Sequence, residues 1–428
     1  MHEGSPFFSI CVPTRNRHET LFYCLKTLLH QDFDSYEIIV SDNSDEEEST
    51  KVYNCIKELS SEKIKYFKQD KVLSMTANYE FSLSKAKGQF ITCIGDDDGL
   101  VVNSLQYLYD FIKKYDARVV KCCEVCYWWI GSHVFPESSL SYPMERPVVQ
   151  VLSKSVLEKV ANFEMGYFNL PMLYYSFVSR KIIDEVVEEK GSFFQNSASI
   201  DMYSGFTIAY KTDSFFVADK PFSISGQSNK SNGAAVLVTY DSKISKEYLA
   251  QHSLKEVYDK YKIPFMPQFS LPLCVSLELS KFLDNNGIKD GDLNIAFRNI
   301  LIDMLSGDSF INNINDIGLI DRFGDYSKYN DDISFIKKNF LNKVLYYPKL
   351  GNHDTNINKY INLDPKIFGV KDIYGAAVLC KDFIESKRTQ VPIKILGKND
   401  PEKMPKKSWI VRRAASRVKR ALGVLLHG

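Results

Sequence analysis

Short apolar runs alternate along the first half of the chain with stretches whose apolar residues recur every three or four positions. Phe7 to Val12, Glu37 to Val40, Ile64 to Phe67 and Phe90 to Ile94 read as buried strands. Between them, Glu19 to Leu29 places Leu21, Leu25, Leu28 and Leu29 at helical spacing, and Ser49 to Leu59 and Asn78 to Leu83 read as further helices. The alternation continues through a helix over Val101 to Lys114, a strand over Arg118 to Trp129 and a helix over Val151 to Phe163. After these come a strand over Leu173 to Ser179, a helix over Arg180 to Glu189 and a strand over Ser214 to Ala218. Such alternation predicts an α/β domain built on a largely parallel sheet. Ser223 to Gly233, rich in Gly and Ser, reads as a loop or linker. From Lys243 to about Phe340 the spacing is helical, as in Leu271, Val275, Leu279 and Phe282, and Asn342 to Val391 is mixed.

The polar residues cluster where strands end. Pro13-Thr14-Arg15-Asn16-Arg17 follows the first strand, Ser41-Asp42-Asn43-Ser44 the second, and Gly95-Asp96-Asp97-Asp98 the strand from Phe90. In open α/β sheets ligands bind outside the carboxyl ends of the strands, so these three loops predict one site. Three adjacent carboxylates repel one another and need solvent, a cationic side chain or a metal ion, and a hard divalent cation suits oxygen ligands. Asp42 reads either as a ligand to a ribose or base edge or as an ordinary loop cap. Arg15 and Arg17 read as diphosphate contacts or as surface charges, and Asn78 as a nucleotide contact or a helix surface residue. Trp128, Trp129 and His133 line an acceptor groove or pack in a core. Cys122, Cys123 and Cys126 lack a second Cys or His pair nearby and read as strand thiols, not as a zinc site.

Composition narrows the class. Over 428 residues, 44% are hydrophobic and 25% charged, which is an ordered globular chain of two or three domains. The net charge of +1 gives no reason to expect a nucleic-acid partner. Nine cysteines, an odd number, with no leader pattern at the start, predict a reducing compartment. No apolar run reaches the 18 or so residues that span a bilayer. From Lys403 to Arg420 there are eight basic residues and no acid, with Val411, Ala415, Val418, Leu422 and Leu425 on one helical face. That pattern predicts a basic amphipathic helix lying on an anionic membrane surface, or docked on the protein itself.

The three polar strand ends, Pro13-Thr14-Arg15-Asn16-Arg17, Val40-Ser41-Asp42-Asn43-Ser44 and Gly95-Asp96-Asp97-Asp98, together resemble the inverting family 2 glycosyltransferases over residues 5–235. The resemblance implies a GT-A fold, Rossmann-like with flanking helices, at 1–238. A mainly helical accessory domain at 239–400 and the basic helix at 401–428 would follow. It implies a nucleotide-sugar donor, such as a UDP-sugar, held by Pro13, Thr14, Arg15, Asp42, Asn78 and Asp96. Mn or Mg would sit on Asp97 and Asp98, and Arg17 and Lys230 would meet the diphosphate. The family's catalytic base maps to Asp201, where Ile200-Asp201 stands in place of a Glu-Asp pair. The family's first motif Asp maps to Gly95, a departure. Taken with the basic tail, this implies a cytoplasmic enzyme at the inner face of the membrane. Its acceptor would be a saccharide or lipid-linked saccharide in capsule, O-antigen or wall-polymer synthesis, and an oligomer is compatible with it. Two other readings stay open: a catalytically silent nucleotide-binding scaffold, and a nucleotidyltransferase, against which stands the absence of a Gly-rich, Lys-bearing phosphate loop.

Overall fold

The computed structural model describes residues 5–123, 125–132, 137–143, 147–161, 165–197, 199–231, 271–288 and 360–385. They fall into two compact units, one of 1–154, 170–238 and 356–395, the other of 155–169, 239–355 and 396–428.

The first unit begins with the predicted alternation: β1 (Phe8–Thr14), α1 (His18–Leu29), β2 (Tyr36–Asp42), α2 (Glu46–Leu59), β3 (Ile64–Lys68), α3 (Met75–Lys85) and β4 (Phe90–Cys93). β1 and β2 are buried along their whole length, which explains their unbroken apolar runs. Helix starts are set by side chains. Asp45 caps α2 by accepting from Glu48 N, with three acids in the first turn, and Ser74 caps α3 by accepting from Ala77 N. β3, β2, β1 and β4 pair in parallel. The sheet continues through β10 (Ser176–Ser179), antiparallel to both neighbours, then β6 (Val119–Lys121), β11 (Ser214–Val217) and β9 (Val149–Leu152). Four parallel strands joined to a mixed half through the reversed β10 is the arrangement expected of a GT-A fold.

A second sheet runs β13 (Tyr360–Leu363), β8 (Ser139–Pro143), β7 (Val125–Trp128), β12 (Ser223–Gln227) and β5 (Gly99–Leu100). Its strands depart from the predicted pattern in three places. The segment expected as one strand over Arg118 to Trp129 breaks into β6 and β7, which belong to different sheets. The helix expected from Val101 starts only at Leu105, as α4 (Leu105–Tyr115), because Gly99 and Leu100 pair with β12. The expected loop at Ser223 is β12 itself, held at its start by Cys122 Sγ, which accepts from Phe222 and Ser223 N–H at 3.3 and 3.2 Å.

The remaining helices are α5 (Ser153–Ala161), α6 (Arg180–Lys190), α7 (Ile200–Lys211), α8 (Leu271–Asn286) and α9 (Ile373–Glu385). α6 ends at Gly191 in the left-handed conformation, φ +79°. The boundary at 238 is not where the first unit ends. β13 adds to β8, and Ile373, Ala376, Ala377 and Cys380 of α9 join a buried cluster with Val101, Val125, Tyr127 and Ile224. Sequence read locally assigned this returning segment to the accessory domain. In the second unit, α8 buries Val275, Leu279, Phe282 and Leu283, the periodicity read there. The basic segment at 401–428 and His133 lie outside the described residues.

Candidate active site

The acid motif lies in the link between the two sheets, directly after β4 and before β5. All three carboxylates are buried, with Asp96, Asp97 and Asp98 2%, 4% and 1% exposed. Each has different partners. Asp96 accepts from Thr14 Oγ1 at 2.6 Å and pairs with Arg17 Nη1 at 3.0 Å. Asp97 Oδ2 accepts from Ser228 N and Oγ at 3.3 and 2.7 Å, while its Oδ1 takes no hydrogen bond among the described residues. Asp98 is saturated. Its Oδ1 accepts from Tyr175 Oη and Gly226 N at 3.0 and 2.6 Å, and its Oδ2 from Tyr174 Oη and Gly95 N at 2.6 and 2.7 Å.

These partners explain the electrostatics. Burial pushes the Asp97 carboxyl above its ordinary value against the opposing pull of Arg17, and Asp96 adds to the rise. Burial and the neighbouring Asp97 push Asp98 up to about 7 despite its donors. Among the described residues Arg17 is the only cation paired with the three acids, through Asp96, and burial leaves them poorly solvated. A carboxylate oxygen with no protein donor is the kind of ligand a hard divalent cation takes, and among the described residues no group of three acid, Cys or His side chains is placed to hold an ion together. That oxygen is Asp97 Oδ1, since Ser228 takes up only Oδ2. The expectation that Asp98 is also a ligand meets an obstacle, because protein donors occupy both of its oxygens.

Gly95 has a steric reason. A Cβ there would lie 2.4 Å from Tyr174 Oη, so the tyrosine fills the space of the side chain the family pattern carries at this position. Tyr175, at φ +65°, turns the chain so that both hydroxyls reach Asp98. Tyr174→Phe removes one charge-assisted donor and is expected to cost about 1.5–3 kcal/mol of stability in urea unfolding. Neither tyrosine was singled out in the sequence. A Tyr-Tyr pair at a strand start carries no local sign of its partner some 76 residues away.

The other residues expected in the site divide. Thr14, Arg17 and Lys230 are brought to the acid motif: Arg17 Nη2 donates to the Lys230 carbonyl, and Lys230 Nζ donates to the Asn16 carbonyl at 3.4 Å. Pro13 is buried in β1, and Arg15 is exposed. Asp42 is fully buried, with Oδ1 accepting from Ser44 N at 3.0 Å and Oδ2 from Ser49 Oγ and Tyr66 Oη at 2.6 and 2.9 Å, the bonds of a loop cap. Asn78 is buried and clasps Ser41, accepting from its hydroxyl at 2.6 Å and donating to its carbonyl at 3.2 Å. Trp129 reaches the motif through Nε1, which donates to the Asp97 carbonyl at 3.1 Å, and packs on Tyr23 and Tyr127.

Asp201 stands in the first turn of α7, part-buried, and its carboxyl is pushed up by burial against hydrogen bonds from the Met202 and Asp201 backbone. No hydrogen bond or ion pair joins its side chain to the acid motif among the described residues. Among the described residues no ion pair neutralises this carboxylate.

The family model described as Glycosyl transferase family 2 matches residues 9–135, which hold β1 to β4 and the acid motif. Residues 9–135 form a domain of glycosyltransferase family 2. Over 120 residues the chain is 36% identical to GalNAc(5)-diNAcBac-PP-undecaprenol beta-1,3-glucosyltransferase of Campylobacter jejuni, covering 28% of this chain and 38% of that one. Over 208 residues it is 22% identical to the glycosyltransferase GlyG of Streptococcus pneumoniae, covering 46% of this chain and 65% of that one. The chain thus spans less than two thirds of the length of either relative. Among solved structures, S. aureus TarS 1-349 in complex with UDP-GlcNAc aligns with TM-score 0.46 and 13% identity over 78% of this chain and 91% of that one. The family 2 domain ends before β10, α7 and β12, so Tyr174, Tyr175, Asp201, Gly226 and Ser228 all come from beyond the matched segment.

Proposed function

We propose that this chain is a metal-dependent inverting glycosyltransferase that moves a sugar from a nucleoside diphosphate donor to an acceptor hydroxyl. The donor is a UDP-sugar, and the acceptor a saccharide or lipid-linked saccharide of a cell-surface polymer. The observation that carries this reading is the buried Asp96-Asp97-Asp98 run, with its single guanidinium partner, at the carboxyl end of a parallel strand in a family 2 domain. The acceptor class is supported by the Campylobacter relative, whose name includes an undecaprenol-linked saccharide. The basic stretch of 403–420 supports residence at the inner face of the membrane, and no helix among the described residues is long and apolar enough to cross one.

Asp97, through its free oxygen, would hold Mn or Mg. When bound, the cation neutralises the diphosphate and makes it a better leaving group. Asp98 is the brace, fixing the link through four donors, and Asp96 keeps Arg17 beside the site. Arg17 and Lys230 present positive charge to the phosphates, while Ser228 holds the chain after β12 against Asp97. Asp201 takes the proton of the acceptor hydroxyl as its oxygen attacks the anomeric carbon from the face opposite the diphosphate, which inverts the configuration.

The test is a panel of UDP-glucose, UDP-galactose, UDP-GlcNAc, UDP-GalNAc and GDP-mannose, read as nucleoside diphosphate release with Mn, with EDTA, and with Asp97→Ala. Release from one donor that requires both the cation and Asp97 is expected. Pyrophosphate as product would favour a nucleotidyltransferase, and no release with no cation-dependent nucleotide binding would favour a scaffold.

A further inference from the structure

The turn that leads into α7 is held in a conformation its own residues disfavour. Gln195 and Asn196 are consecutive and both left-handed, at φ +49° and +54°, and neither is glycine. Such backbone persists only where the surroundings over-determine it, and it clusters where geometry serves function. Gln195 braces it locally, its Nε2 donating to the Lys190 and Ser192 carbonyls and to Ser192 Oγ at 3.1, 2.6 and 2.9 Å, and one face of α3 holds it from outside. Glu80 spreads its carboxylate over two successive amides, accepting from Phe193 N at 2.7 Å and Phe194 N at 3.0 Å. Thr76 Oγ1, one turn earlier, donates to the Ser197 carbonyl, and Tyr79 packs edge-on to Phe194 with ring centroids 6.3 Å apart. Positions 76, 79 and 80 share a helix face by their spacing. The helix cannot drift, because Asn78 clasps Ser41 at the end of β2.

We propose that Glu80 and Thr76 are positioning residues for Asp201, fixing the turn that sets where α7 begins and so where the base stands. The inference rests on the reading of Asp201 as the base. A charged acceptor shared by two backbone N–H groups is stronger and more directional than a neutral one, and it suits a turn that must not relax. Because α3 is tied to β2 as well as to the turn, the nucleotide half of the sheet and the base helix are registered through one rigid element.

The experiment is a double-mutant cycle on the full chain, with nucleoside diphosphate release measured from whichever donor of the panel is turned over. Glu80→Gln keeps the shape and one acceptor oxygen. It is expected to lower kcat by about tenfold to a hundredfold, the scale of a small misplacement of a catalytic group, with donor affinity unchanged. Glu80→Ala should lower kcat further, and Thr76→Val, which leaves Glu80 intact, should act in the same direction. In the Asp201→Asn background Glu80→Gln should change the residual rate by less than about twofold, because a residue acting through Asp201 has nothing left to position. An equal loss in both backgrounds, a parallel loss of donor affinity, or an unchanged kcat would each overturn the proposal. Undiminished turnover by Asp201→Asn alone would instead remove the base assignment on which it rests.

Discussion

Asp201→Asn is expected to lower turnover by about 10²- to 10⁴-fold, the range for loss of a general base, while nucleoside diphosphate binding is retained. The substitution keeps size and one acceptor oxygen for the helix start, and it removes the charge and the ability to accept a proton. On the proposed reading the donor is bound elsewhere, at Thr14, Arg17 and the acid motif, and no hydrogen bond or ion pair links Asp201 to those groups among the described residues. The pH dependence follows in sign. A general base works as the anion, and burial raises the Asp201 pKa, so if Asp201 fills that role wild-type kcat should fall as pH drops through a value above the ordinary carboxylate range near 4. That acidic limb should be absent from the residual activity of the variant. The measurement is kcat against pH for both proteins, beside nucleotide affinity by calorimetry. A variant with normal turnover would show that another group takes the proton.

The parts of this site that could be read in advance are those whose physics is local. β1, β2 and β4 are buried on both faces and announce themselves as apolar runs, and polar loops at their carboxyl ends follow from the parallel sheet. Asp42 shows the limit of that reasoning. It stands at the expected strand end, yet Ser49 and Tyr66 claim its carboxylate, and nothing within the loop distinguishes a cap from a ligand. β12 was hidden for a different reason. Ser-Ile-Ser-Gly-Gln lacks strand propensity, and the segment is a strand because β5 and β7 lie on either side of it and Cys122 anchors its start. β13 and α9 were hidden by distance along the chain, since their partners are β8 and residues near 101–127. The acid motif shows both sides: carboxylates at a strand end were visible, whereas the pattern that leaves Asp97 Oδ1 without a donor and fills both oxygens of Asp98 depends on Tyr174, Tyr175 and Gly226.

Gly226→Ala is expected to disable the site without touching any group that reacts. A Cβ at this position would lie 1.7 Å from the Asp97 carbonyl oxygen and 2.6 Å from its carbonyl carbon, far inside any tolerated contact, and 3.0 Å from Trp129 Nε1. Both close neighbours are backbone, so no side-chain rotation relieves the overlap. Either β12 withdraws from β5 and β7 or the Asp97 peptide moves. Both routes break the Gly226 N–H bond to Asp98, and the second also disturbs the Trp129 bond to the Asp97 carbonyl. A displacement of about 1 Å at catalytic groups costs about a hundredfold in rate, so activity should fall by at least that factor together with cation-dependent nucleotide binding. The contrast is Gly95→Ala, where the close neighbour is the hydroxyl of Tyr174 at 2.4 Å. Removing that hydroxyl in Gly95→Ala/Tyr174→Phe should recover part of what Gly95→Ala loses, whereas no single side-chain truncation should rescue Gly226→Ala. Binding of UDP in the presence of Mn, measured for the four proteins, checks the contrast directly. Near-normal binding by Gly226→Ala would mean that β12 can retreat without moving the acid motif, and that Ser228 and Gly226 do not set the place of Asp97.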